Sequence, residues 1–127
     1  MPLLVRVDDE KRMIFVHGEG IVTDRDLLEY VQEYLSDPEL RRYHELFDLT
    51  EADLQDVTYG GLSSVASAAA ATDSGGDPVK IAILVSQVLG LGLSRMYQTL
   101  REVKGGRRLT RVFQDRRECM EWLELPS

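Results

Sequence analysis

The chain has 127 residues, 43% of them hydrophobic, with 22 acidic against 15 basic residues and a formal net charge of −7. That length suits one domain with one core, and that apolar content is too high for a disordered chain. The acidic balance disfavours sequence-independent binding to nucleic acid or to anionic lipid, both of which call for a basic surface.

Residues 3–7 predict a first strand, 8–11 a polar turn and 12–18 a second strand, together a hairpin. Thr23 is a good N-cap, and Asp26 three positions on approaches a capping box. Leu27, Leu28, Val31, Tyr34 and Leu35 then recur at helical spacing opposite Glu29, Gln32 and Glu33, and Pro38 marks the end region. Residues 45–50 read as a short strand and 51–56 as a polar connection. The next helix begins near 58–61 and runs through Leu62, Val65, Ala66 and Ala69. Its alanine run, 68–71, combines high helix propensity with close approach to a sheet. Residues 72–78 form a loop on composition.

The near-continuous apolar run 79–85 suits a strand covered on both faces. Gly90 and Gly92 loosen the chain ahead of a helix carrying Leu93, Met96, Tyr97, Leu100 and Val103, which Gly105-Gly106 ends. Residues 109–113 are the last strand. Asp115 caps a final helix, with Glu118 three residues later and Cys119, Trp122 and Leu123 on its inner face. Strands alternating with helices after an opening hairpin predict a single α/β domain over 1–127, a mixed five-stranded sheet with about four flanking helices.

Cys119 is the only cysteine, so no internal disulfide forms and a reducing compartment is expected. The chain start runs directly into Arg6, Asp8 and Asp9, unlike a signal peptide. The longest apolar stretch, 81–94, is broken by Gln87 and is shorter than the ~20 residues of a membrane span. A soluble cytoplasmic protein is the expectation.

Several segments carry a family resemblance through their order. They are Gly18-Glu19-Gly20 before Thr23-Asp24-Arg25-Asp26-Leu27-Leu28, then Phe47-Asp48-Leu49-Thr50, then Lys80-Ile81-Ala82-Ile83-Leu84-Val85. Gly90-Leu91-Gly92-Leu93-Ser94-Arg95-Met96-Tyr97 follows, then Val112-Phe113, then Cys119-Met120-Glu121-Trp122-Leu123. Over nearly the whole chain this resembles the SpoIIAA-like family, also called STAS/SEC14-like proteins. The resemblance implies a STAS-type α/β fold, in a family with many uncharacterised bacterial members, and little about activity; a non-enzymatic domain is expected because the sequence offers no evident acid–base pair, metal set or activated nucleophile. The related sporulation anti-sigma factor antagonists bind a kinase partner and are phosphorylated on a serine. That serine lies where the central strand meets the next helix, in an Asp-Ser-Ser/Thr-Gly-Leu-like segment. The local counterpart is Thr58-Tyr59-Gly60-Gly61-Leu62, which keeps the glycine and leucine but has Thr58 at the aspartate and Tyr59 at the serine. A regulatory kinase or anti-sigma-like factor is thus the implied partner, and the SEC14 relationship implies a lipid or small apolar ligand as the alternative.

Asp48, Thr50, Thr58 and Ser86 form the candidate partner-binding or phosphorylation edge. In a parallel sheet the carboxyl ends of adjacent strands face a common crevice, and helix N-termini there offer N–H groups to an anion. Local hydrogen bonding by Asp48 and Thr50, with helix capping by Thr58, explains the same residues. Leu91, Leu93, Met96 and Tyr97 form a candidate apolar groove beneath a helix hinged at Gly90 and Gly92, a pattern that a helix face buried in the core also produces. Gly90-Leu91-Gly92-Leu93-Ser94-Arg95 follows a strand, but Arg95 stands at the third glycine of a dinucleotide fingerprint, so no nucleotide site is predicted. Arg101, Lys104, Arg107, Arg108 and Arg111 read as a solvated face. His17 and His44 lie in no zinc-like spacing, and Cys119 reads as a buried inert thiol. No metal set, cofactor or activated nucleophile is predicted, and the oligomeric state is monomer or homodimer.

Overall fold

The computed structural model describes residues 2–73, 78–104 and 108–126. The chain opens with β1 (Leu3–Asp8) and β2 (Met13–Ile21), an antiparallel hairpin whose turn is fixed by the Asp8 carboxylate accepting the Lys11 N–H at 3.0 Å. Then β3 (His44–Asp53), β4 (Val79–Leu84) and β5 (Arg108–Phe113) each add beside the last, parallel to β2, giving the order β1-β2-β3-β4-β5.

Helices α1 (Asp24–Tyr34), α2 (Tyr59–Ala70) and α3 (Val88–Lys104) link successive parallel strands. Right-handed crossovers stepping in one direction put all three on one sheet face. The core beneath them holds Ile14, Val16, Val31, Leu62, Ala66 and Leu100. Helix α4 (Arg116–Trp122) covers the other face over Met13, Leu46, Ala82, Leu84 and Phe113, with Cys119 fully buried. Period-two alternation sends Glu45, Phe47 and Leu49 of β3 toward α1–α3, and Leu46 and Asp48 toward α4.

Three expectations change. First, β3 does not stop at Thr50: Glu51–Asp53 pair with Glu19–Ile21 past a register shift after His17. Polar residues read as a loop, yet backbone pairing with β2 carries the strand on, and Ala52 packs against the core. Second, α3 begins at Val88, so Gly90 and Gly92 are helical and not a hinge. A Cβ on Gly90 would lie 3.2 Å from Val85, so the missing side chain serves the close seating of the helix on the end of β4. Third, the basic cluster is not one solvated face. Arg101 pairs with Asp73 at 3.2 Å, and Arg108 pairs with Glu45 at 2.6 Å and Asp73 at 2.8 Å, all with side chains at least nine-tenths buried. Their carboxylate partners lie far away in sequence, beyond the reach of any local pattern. Lys104 and Arg111 are exposed, whereas Arg107, Gly105-Gly106 and residues 74–77 of the expected loop lie outside the described residues.

Candidate functional site

The carboxyl ends of β3 and β4 carry a connected polar group. Asp48 Oδ1 accepts from the Thr50 N–H at 3.1 Å and from Thr50 Oγ1 at 2.6 Å, while its Oδ2 accepts from Arg116 at 2.7 Å. Burial pushes the Asp48 pKa up, but the hydrogen bonds from Thr50 and Arg116 outweigh it and leave the carboxyl below its usual range. Asp115 sets up this contact by capping α4, accepting from the Arg117 N–H at 2.8 Å, so that Arg116 starts the helix beside β3. Ser86, just past β4, donates its hydroxyl to the Thr50 carbonyl at 2.9 Å. Asp48, Thr50 and Ser86 therefore form one hydrogen-bonded chain across two strand ends.

Beside that chain lies an open cleft of about 360 Å³, walled by residues 49–55 on one side and by 85–87, 89 and 90 on the other. Its lining is apolar as well as polar, since the wall includes Leu89, 48% exposed at the start of α3.

Thr58 is placed apart from this group. Its N–H and Oγ1 donate to the Asp24 carboxylate at 2.9 and 2.6 Å, and the same Oγ1 accepts from the Gly61 N–H at 3.0 Å, capping α2. A methyl group on Gly61 would overlap the Asp24 carboxylate, so a side chain here would displace that carboxylate from Thr58. The N-terminus of α2 is thus already served by an internal anion from the first turn of α1, and the anion-binding capacity expected of that helix end is taken up within the fold.

The four residues of the candidate apolar groove also divide. Leu93 and Tyr97 line a small pocket of about 70 Å³ between α1–α3 and the sheet. Leu91 packs instead on Ile81 and Ile83 of β4 and on Val85 just past it, and Met96 joins the main core without lining the pocket. The walls are mostly apolar, with Ser94 and Glu45 among them, and Glu45 accepts from the Tyr30 hydroxyl at 2.7 Å. Burial pushes the Glu45 pKa up against the pull of Arg108, and burial pushes the Tyr97 pKa up to about 12. A dry cavity of about 150 Å³ is what a benzene-sized ligand occupies, so this one holds less than that without a shift of α3.

One cluster escapes the sequence reading. His17 Nε2 lies 3.0 Å from Glu51 and 3.3 Å from Glu19, and its Nδ1 lies 3.6 Å from Asp48. The His-x-Glu spacing on a strand was the available signal, but Glu51 joins only through the β2–β3 pairing. His44 is engaged otherwise: its Nδ1 accepts from the Lys80 N–H at 2.9 Å, and burial lowers its pKa. The Cys119 thiol is pushed up to about 11 by burial, as an inert thiol should be.

No protein-family model matches the sequence, and no curated protein matches it. Among solved structures, the chain is similar to an uncharacterized protein of the DUF3478 family with a SpoIIAA-like fold from Shewanella loihica. The two are 16% identical with a TM-score of 0.56, over 95% of this chain and 91% of that one. The fold is SpoIIAA-like. At that identity the likeness concerns the fold alone, so the roles assigned to residues of this SpoIIAA-like sheet rest on its own geometry. Among the described residues, no helix is long and apolar enough to cross a membrane.

Proposed function

We propose that this is a non-enzymatic cytoplasmic docking domain that receives a segment of a protein partner in the cleft beside Asp48, Thr50 and Ser86. The observation that carries the reading is that cleft, open at the carboxyl ends of two adjacent parallel strands, where α/β folds place their ligands. Its mixed lining supports a peptide-like occupant: Leu89 offers apolar anchorage, and Thr50, Glu51, Asp53 and Ser86 offer a polar rim. A bacterial regulatory kinase or anti-sigma-like factor is the partner class that the family resemblance suggests. In this reading Thr58 holds α1 against α2 and makes no partner contact. The test compares partner capture by two folded variants. Leu89→Glu should abolish capture, and Thr58→Ala should lower stability while sparing capture; the opposite pattern would sink the reading.

A second reading, carriage of a small apolar molecule, has one observation in its favour, the mostly apolar pocket lined by Leu93 and Tyr97. Native mass spectrometry of freshly purified protein separates the two. A non-covalent mass excess lost on denaturation favours carriage, and a clean apo mass favours docking.

A further inference from the structure

We propose that His17, Glu19 and Glu51 form a binding site for one divalent transition-metal ion of the zinc type. The backbone creates the site. On β2, His17 and Glu19 are two apart and share a face. On β3, the partner of His17 is Asp48 and the partner of Glu19 is Glu51, three residues later, so the bulge inserts one extra residue into β3. That extra residue turns Glu51 back to the face that Asp48 occupies. Without the bulge, an odd spacing would send the two acids to opposite faces.

The distances suit a metal. One nitrogen and two carboxylate oxygens lie within 4.8 Å of one another, and the two nitrogen–oxygen separations are 3.0 and 3.3 Å. Bonds of about 2.0–2.2 Å to zinc place neighbouring donors about 3.0–3.5 Å apart in octahedral or tetrahedral geometry. A single Nε2 proton cannot serve both carboxylates fully, whereas a cation in its place takes one oxygen from each. The other ring nitrogen faces Asp48, itself anchored by Thr50 and Arg116. Carboxylates behind the second nitrogen orient metal-binding histidines in the same way. An imidazole with only two carboxylates selects zinc-like ions over calcium or magnesium, which require more oxygen donors. Exposure of both glutamates leaves coordination positions open to water.

The test uses the full chain, free of any affinity tag, titrated with Zn²⁺ alone and with Mg²⁺ alone. Calorimetry should give one equivalent of Zn²⁺ with Mg²⁺ binding at least about tenfold weaker. The chain has two histidines, so the imidazole NMR signals report directly. Zn²⁺ should move the His17 signals at one equivalent and leave those of His44 in place. Glu51→Gln and Glu19→Gln, exposed positions whose exchange preserves shape, should each weaken binding about tenfold or more. Absence of a saturable one-equivalent phase, movement of His44 instead of His17, or unchanged affinity in both variants would overturn the proposal.

Discussion

Replacing Arg108 by Met isolates what the buried ion network contributes. Arg108 bridges Glu45 and Asp73 and donates to the Arg41 carbonyl at 2.7 Å, and the side chains of Arg108 and Glu45 are both only 2% exposed. Methionine fills similar space but leaves the Glu45 carboxylate buried beside the Tyr30 hydroxyl without its ion-pair partner, with Arg101 as the remaining cation that acts on it. Removing one partner of a buried pair costs about 3–5 kcal/mol, which lowers Tm by roughly 10–20 °C in a domain of this size. Burial already raises the pKa of Glu45, and loss of Arg108 raises it further. A carboxyl with a raised folded pKa contributes stability that is fully present below its ordinary value of 4.5 and is lost as pH rises through the folded value. The deficit of the variant should therefore be larger near about pH 8 than near about pH 5. Adding Glu45→Gln should recover about 1–3 kcal/mol, since a neutral amide needs no counter-charge. Urea denaturation of the three proteins, followed by circular dichroism at both pH values and at low and high salt, measures each quantity. A loss below about 1 kcal/mol, as for an exposed pair, or one that vanishes in high salt, would refute the buried network.

Three further outcomes follow from the same contacts. Gly61→Ala should cost about 1–3 kcal/mol by displacing Asp24 from Thr58. Gly92→Ala, in open space within α3, should instead add about 0.5–1 kcal/mol; thermal melts of the pair decide, and equal signs would contradict these placements. His44 accepts the Lys80 N–H and has a lowered pKa through burial, so its stabilisation is present above its ordinary value of 6.5 and is lost as pH falls through the folded value. The urea midpoint should fall across that window, and a flat midpoint would count against neutral His44. Mass mapping of protein from its native host should find Thr58 without phosphate, because a phosphate there would sit against Asp24.

What was legible in the sequence was local. The caps at Thr23 and Asp115 use side chains two or three residues from the N–H groups they accept from, so composition and spacing reveal them. The apolar run of β4 announced a strand covered on both faces, and the ordering of strands and helices carried the sheet. The candidate site was half legible. Asp48, Thr50 and Ser86 meet because β4 ends opposite Asp48 of the parallel β3, but Thr58 caps α2, and Asp24, from another helix, claims its hydroxyl. Arg101 and Arg108 carried no mark of burial, since Asp73 and Glu45 are 28 and 63 residues away. Glu51 looked like a loop residue because a bulge leaves no compositional trace.

Docking at the β3–β4 cleft is tested most directly by placing a photo-crosslinking benzoylphenylalanine at Gln87, in the cleft wall, and separately at Glu33, on the exposed side of α1. After irradiation in the native host, the account predicts one discrete protein adduct from Gln87 that is absent from Glu33. No adduct at Gln87, or the same adducts at both positions, would contradict it.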